Sequence, residues 1–170
     1  MFKAFYPDEY KASAYKINYE RLFQKGYRGI IYDIDNTLVP HDAPANERAI
    51  QLFRHLEEMG FKACFMSNNQ ESRVKSFNEK IGIPYIFDAK KPMRAGYMKA
   101  MRLLKTKPEH TLCVGDQLFT DVWGAYRAGI YCILVKPIDP KEKFSIVLKR
   151  YLEKIVLYFY QRSKSLKTDR

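Results

Sequence analysis

Short apolar runs alternate with segments of helical period along most of the chain. Asn18 to Lys25 predicts a short helix, capped by Asn18 and stopped by Gly26. Arg28 to Asp35 contains Ile30, Ile31, Tyr32 and Ile34 and predicts a strand that runs into a turn. Between Pro44 and Met59, Ile50, Phe53 and Leu56 recur near helical spacing. Pro44 suits a first helical turn there, and Gly60 ends the helix. A strand follows over Phe61 to Met66, then a helix over Glu71 to Ile81 and a short strand over Ile83 to Phe87. Pro92 to Lys105 predicts a helix with Met98, Met101 and Leu104 on its inner face. Thr111 to Val114 is the next strand, Thr120 to Ala128 a helix closed by Gly129, and Tyr131 to Val135 the last strand. Strands this short and this apolar are covered on both faces. Repeated strand–helix units imply a parallel sheet with right-handed crossovers. The predicted fold class is α/β, a Rossmann-like doubly wound parallel sheet. Ligands of such sheets bind at the carboxyl ends of the strands.

Length and composition narrow this further. One hundred and seventy residues suffice for one ordinary domain, so residues 1–170 are expected to form a single unit with a core over about 28–137. A mix of 46% hydrophobic and 29% charged residues excludes disordered, collagen-like and low-complexity chains. The net charge of +11 predicts attraction to an anion: nucleic acid, membrane lipid or a phosphorylated substrate. Cys64, Cys113 and Cys132 all sit in apolar stretches and are expected as buried thiols of a reducing compartment. No clustered Cys/His pattern suggests zinc. The start, MFKAFYPDEY, lacks the apolar segment of a signal peptide. The longest apolar run is six residues, Ile155 to Tyr160, whereas a bilayer span needs about 20. A cytoplasmic location is expected.

Polar groups interrupt the apolar pattern at four strand ends. Asp33, Asp35 and Thr37 close the first strand; two carboxylates two residues apart point the same way. Burying both is costly without a cation or protons, although a capped turn is an equal reading of this segment alone. Ser67 and Asn68 close the second strand, where they form either an anion site or a plain helix cap. Lys90 and Lys91 precede the predicted helix at Pro92, placed to neutralise a phosphate and a carboxylate or simply solvated. Asp116 and Asp121 follow the fourth strand after Gly115, again with helix capping as the plain alternative. A doubly wound sheet gathers all four ends along one edge. Several carboxylates there call for a hard divalent cation, and Mg²⁺ is the usual one beside phosphate.

In order, Asp33-Ile34-Asp35-Asn36-Thr37, Ser67, Lys91 and Gly115-Asp116 with Asp121 match the four motifs of the haloacid dehalogenase (HAD) superfamily of phosphohydrolases. The chain resembles that family over about residues 28–137. The strings DIDNTLV, AKKP and GDQLFTDV resemble its YqeG-type subfamily IIIA, a group similar to the mitochondrial phosphatidylglycerophosphate phosphatases. The resemblance implies that Asp33 attacks phosphorus and forms an aspartyl-phosphate. It makes Asp35 the acid that protonates the leaving oxygen and the base that then activates water. Nearby carboxylates are expected to raise the proton affinity of Asp35, with the metal tuning it. Mg²⁺ is expected on the Asp33 carboxylate, the Asp35 backbone carbonyl and Asp116, with Asp121 further out or acting through water. Ser67 and Lys91 would hold the phosphoryl oxygens, supported by Thr37 and Asn68. The family lysine precedes proline, which selects Lys91 over Lys90.

The spacing between motifs bears on the substrate. Thr37 to Ser67 and Ser67 to Lys91 each leave room for one helix and one strand, so neither gap holds a cap domain. An open site suits a large substrate, namely a lipid at a membrane, a protein or a nucleic-acid end, or a lid supplied by a partner. His41 is placed to line the rim or to be solvated.

From Lys141 to Arg170 there are nine basic and three acidic residues, with a basic amphipathic helix expected over 141–165. Its apolar face comprises Phe144, Val147, Leu148, Tyr151, Leu152, Ile155, Val156 and Phe159, flanked by Lys143, Arg150, Lys154 and Arg162. Leu157 and Tyr158 widen that stripe. Two readings stand: a terminal helix docked on the sheet with snorkelling lysines, or an interfacial helix on anionic lipid. Phe2, Phe5, Tyr6 and Tyr10 either join that surface or cover a sheet face or edge.

The expected partner is a phosphorylated substrate, with anionic phospholipid first and peripheral membrane association through the tail. The expected reaction is dephosphorylation of phosphatidylglycerophosphate to phosphatidylglycerol. The rivals are a phosphatase for a soluble nucleotide, sugar phosphate or phosphoprotein, a nucleic-acid-associated protein, and a scaffold. No nucleic-acid motif is visible, and most of the 13 Tyr and 11 Phe fall in core-like positions.

Overall fold

The computed structural model describes residues 3–139 and 144–168, and side chains over 3–139 and 151–163. Six parallel strands form one sheet: β1 (Glu9–Lys11), β2 (Gly29–Tyr32), β3 (Lys62–Met66), β4 (Tyr85–Ile86), β5 (Thr111–Gly115) and β6 (Tyr131–Val135). Their spatial order is β1-β6-β5-β2-β3-β4. The helices are α1 (Tyr19–Gln24), α2 (Glu47–Glu58), α3 (Glu71–Asn78), α4 (Arg94–Leu104), α5 (Trp123–Ala128) and α6 (Phe144–Thr168).

The two-residue period of the strands sorts side chains into two cores. Ile30 and Tyr32 face the layer built by α1, α2 and α3, with Leu22, Phe53 and Phe77. Ile31 faces the layer built by α4, α5 and α6, with Tyr97, Met101, Ala125 and Val156. In the first layer Tyr32, Phe53, Phe65 and Phe77 pack edge to face in a continuous row, with centroids 4.9–5.2 Å apart. All three cysteines are free and buried, as the apolar stretches around them imply.

The alternation of elements follows the sequence reading, with corrections at element ends. α2 starts at Glu47 with Asn46 as its side-chain cap, so Pro44 lies before the helix. α3 ends at Asn78 and β4 shrinks to two residues. α4 begins at Arg94, not Pro92, and the Lys91–Pro92 peptide is cis. Leu118–Val122 forms a π-helical turn that runs into α5, in place of one helix from Thr120.

β1 is an addition. It has no apolar run of its own and is held by pairing with β6, Glu9 opposite Ile133 and Lys11 opposite Val135. The Glu9 carboxylate accepts from Tyr131 and pairs with Arg21 and Lys11.

The tail departs furthest from expectation. Lys141 and Lys143 fall outside the described residues, and Phe144, Val147, Leu148 and Arg150 outside the described side chains. Of the remaining predicted apolar face, only Val156 is buried; Tyr151, Leu152, Ile155 and Phe159 are exposed. The helix docks instead through Glu153, Val156 and Tyr160. At the amino end Phe5 packs on Phe119 and Trp123, and Tyr6 on Tyr160, so these rings cover the α5–α6 layer. Phe2 lies outside the described residues. Among the described residues no helix is long and apolar enough to cross a membrane.

Candidate active site

β2 delivers Asp33 to the carboxyl edge of the sheet, where its N–H continues the ladder to Val114 O at 2.9 Å. The chain then turns at once. Thr37 and Leu38 N–H groups both donate to Ile34 O, and Asn36 takes a left-handed φ of 62°, which asparagine tolerates. This turn folds Thr37 back so that its Oγ1 lies 3.4 Å from both Asp33 Oδ2 and Asp116 Oδ1.

Asn68, at the end of β3, holds the backbone of Lys91. Its Oδ1 accepts from Lys91 N at 2.7 Å and its Nδ2 donates to Lys91 O at 3.2 Å. The plain helix-cap reading of Ser67 and Asn68 does not hold, because Gln70 is the N-cap of α3. Ser67 Oγ accepts from Asn69 N at 3.1 Å. Lys91, so anchored, projects inward with Nζ 2.5 Å from Asp33 Oδ1 and 2.7 Å from Asp121 Oδ1. Lys90 is exposed, so Lys91 is the lysine that reaches the carboxylates. Burial, the largest influence on the ammonium, would discharge it. Asp121 and Asp33 outweigh that and push its pKa above the ordinary lysine value.

β5 brings Asp116 to the same edge, and the π-helical turn brings back Asp121. Gly115 makes this close return possible, since a Cβ there would land on the Asp121 carboxylate. Gln117 N donates to Asp121 Oδ2 at 3.1 Å. Asp33, Asp116 and Asp121 each offer a carboxylate oxygen within 4.8 Å of the others. Burial pushes the Asp33 carboxyl up to about 6; Lys91 opposes this, while Asp121 and Asp35 add to it. Three buried carboxylates against one ammonium leave a cluster that calls for further positive charge. Hard oxygen donors in this number suit Mg²⁺, so the residues present fit that ion.

Asp35 sits at the mouth, and its surroundings differ from the sequence expectation. Its closest charged partner there is cationic: Arg73 donates to Asp35 Oδ1 from Nη2 at 2.8 Å and from Nε at 3.3 Å. Asn69 Nδ2 donates to Asp35 Oδ2 at 2.7 Å, and Asp42 N to Oδ1 at 2.8 Å. His41 stands at the rim, with Nδ1 3.9 Å from Asp35 Oδ1 and Nε2 3.4 Å from Asp42 Oδ2.

The resulting cavity of about 210 Å³ is lined by Asp33, Asp35, Ser67, Asn68, Lys91 and four further polar neighbours besides His41. That is below the ~300–1,000 Å³ of sites that enclose a whole small molecule. It suits a phosphoryl group with the rest of the substrate outside. One helix and one strand fill each gap between motifs, α2 and β3 and then α3 and β4, so neither gap holds a cap domain.

Sequence reasoning missed Arg73 and Asn69 as neighbours of Asp35. Asn69 adjoins the second motif and was within reach of inspection. Arg73 had no signal that separates it from the other basic residues of this cationic chain.

Comparison with known proteins identifies the family. A family model described as haloacid dehalogenase-like hydrolase matches residues 39–129. The chain is 41% identical over 161 residues to the probable phosphatase YqeG of Bacillus subtilis, covering 94% of each. It is 28% identical over 159 residues to phosphatidylglycerophosphate phosphatase 1 of Arabidopsis thaliana, covering 81% of this chain and 45% of that protein. The fold is similar to that of the magnesium-bound HAD-hydrolase YfnB of Bacillus subtilis, with a TM-score of 0.54 at 16% identity, covering 69% of this chain and 92% of that one. The buried Asp–Lys–Asp bridge, the parallel sheet that builds it and the extent of these matches lead to one conclusion: the chain belongs to the haloacid dehalogenase-like hydrolase family, as a phosphatase.

Proposed function

We propose that this phosphatase hydrolyses phosphatidylglycerophosphate to phosphatidylglycerol and phosphate at the surface of a membrane. The observation that carries the chemistry is the bridge from Asp33 through Lys91 to Asp121 at the floor of a small uncapped cavity.

One Asp33 carboxylate oxygen attacks phosphorus in line, and the bond to the leaving alkoxide breaks as the new P–O bond forms. The entering phosphate's negative charge favours a proton on Asp35 Oδ2, the oxygen that Arg73 does not hold, and Asp35 gives that proton to the alkoxide. Asp35 then takes a proton from water as the water attacks the aspartyl-phosphate, which releases inorganic phosphate and restores Asp33. Lys91 sets a positive charge beside the attacking carboxylate and the phosphoryl oxygens. Ser67, whose oxygen already accepts from Asn69 N, donates its hydroxyl proton to a phosphoryl oxygen. Asn68 acts by fixing the Lys91 backbone, and Thr37 by holding Asp33 and Asp116. Asp33, the Asp35 carbonyl and Asp116 would hold Mg²⁺, with Asp121 behind them, and the ion supplies charge neutralisation for the transferring group.

Two observations support a lipid substrate. The mouth is open to a bulky ester, and relatives named as phosphatidylglycerophosphate phosphatases match at 28% and 26% identity. The test is phosphate release from phosphatidylglycerophosphate in liposomes, with Mg²⁺ and with chelator, beside a panel of soluble phosphomonoesters. Mg²⁺-dependent release from the lipid that outpaces the panel and is lost in Asp33→Asn is the expected result. Activity confined to soluble esters overturns the substrate and keeps the chemistry.

A further inference from the structure

We propose that the outer face of α6 is a docking surface for an anionic bilayer, and that it sets the catalytic edge against the lipid headgroups. This deepens the lipid reading above by naming the surface through which the chain meets its substrate.

The inner face of α6 is already spent on the core. Val156 and Tyr160 are buried, the Tyr160 ring packs 5.5 Å from that of Tyr6, and the buried Glu153 carboxylate accepts from Leu118 N at 2.9 Å. The opposite face holds Tyr151, Leu152, Ile155, Tyr158 and Phe159, which are 63%, 54%, 52%, 58% and 44% exposed. A helix that only completed a core would turn its large apolar groups inward and leave polar ones outside. Here nine consecutive positions place five large apolar side chains in solvent.

Charge identifies what covers them. Glu153 is the sole acidic residue between positions 151 and 163, and it points into the protein. Lys154 and Arg162 are exposed, so this part of the outer face is apolar and cationic. The wider tail has nine basic residues to three acidic ones. An anionic bilayer offers both an apolar boundary and negative charge, and tyrosines and phenylalanines suit its interface. A second copy of this chain would set one cationic helix against another. The helix is not apolar enough to cross the membrane, so it lies along the surface.

The contacts of α6 also place it beside the catalytic edge. Leu118 belongs to the turn that carries Asp121, so the Glu153 hydrogen bond ties the helix to the catalytic loop. A crevice of about 150 Å³ brings Asp116, Val135 and Pro137 together with Glu153, Lys154 and Leu157. The docking helix therefore runs beside the strand ends that build the site.

The test is flotation of the full chain with vesicles of phosphatidylcholine containing phosphatidylglycerol, against phosphatidylcholine alone. The comparison variant is Leu152→Ser with Ile155→Ser and Tyr158→Ser, all at exposed positions away from the site. The expected result is salt-sensitive binding to the anionic vesicles, weakened at least about tenfold in the variant. Hydrolysis of p-nitrophenyl phosphate should be unchanged, which reports an intact fold. The proposal is overturned if the wild-type chain stays in the buffer, if the variant floats equally well, or if the variant merely dissociates a dimer that does not bind vesicles. Flotation without hydrolysis of phosphatidylglycerophosphate supports docking and rejects the lipid substrate. Hydrolysis of detergent-dispersed lipid without flotation rejects docking and leaves the substrate standing.

Discussion

Arg73 Nη2 lies 2.8 Å from Asp35 Oδ1, and Arg73 Nε lies 3.3 Å from the same oxygen. Asn69 holds the second oxygen at 2.7 Å. The carboxylate at the mouth is thus oriented by Arg73 of α3 and by Asn69, neither of which bonds to Asp33 or Lys91.

This separation makes the role of Arg73 measurable. Arg73→Ala should lower kcat on an alkyl phosphomonoester about 10- to 100-fold, because a misplaced acid protonates a poor leaving group badly. The loss on p-nitrophenyl phosphate should be several-fold smaller, since that leaving group departs without a proton. Arg73→Lys should recover part of the difference. Steady-state kinetics on the two esters decide it, and equal losses on both would sink a role of Arg73 in protonation of the leaving group by Asp35.

Lys91 is the buried cation that two carboxylates share, with its side chain 4% exposed beside 10% for Asp33 and 2% for Asp121. Lys91→Met should abolish turnover and, in chelator, destabilise the fold by about 3–5 kcal/mol, the range for removing one partner of a buried pair. Adding Mg²⁺ should return part of that stability by meeting the exposed demand for positive charge. Denaturant unfolding with and without the ion reads both effects. A variant as stable as wild type in chelator would contradict this electrostatic account.

Gly115 leaves no room for a side chain because the Asp121 carboxylate occupies it. Gly115→Ala should displace Asp121 from Lys91, cost about 1–3 kcal/mol and lower kcat at least about tenfold. Activity retained at the wild-type level would show that Asp121 can move without consequence.

Burial pushes the Cys64 thiol up to about 12 and raises Cys132, whose first influence is its hydrogen bond with Cys113. At pH 8 only about one Cys64 in ten thousand is then a thiolate, and that fraction rises with pH. The native chain should therefore react slowly with a thiol reagent at pH 8, and denatured chain should release three equivalents. Rapid native reaction of Cys64 would contradict its burial at the sheet.

The four polar breaks at strand ends were legible in the sequence. An apolar strand buried on both faces tolerates Asp33, Ser67 or Asp116 only where it stops, and parallel connections align those stops on one edge. The order and type of most elements followed from the same period-two and helical patterns. Element ends were less legible, because Asn46 capping α2 and the turn before Arg94 depend on local hydrogen bonds.

What the linear pattern determined was a doubly wound parallel sheet with carboxylates, a lysine and hydroxyls on one edge. Tertiary structure decided which charges meet. Arg73 reaches Asp35 across 38 positions of sequence, and Glu153 reaches Leu118 across 35. It also decided that β1 exists, since three residues with no apolar run become a strand only by pairing with β6. Above all it decided which side of α6 faces the core. A helix apolar over most of its circumference has no unique inner face in sequence. The Glu153 hydrogen bond and the packing of Val156 and Tyr160 choose one, and leave Leu152, Ile155 and Tyr158 to the solvent.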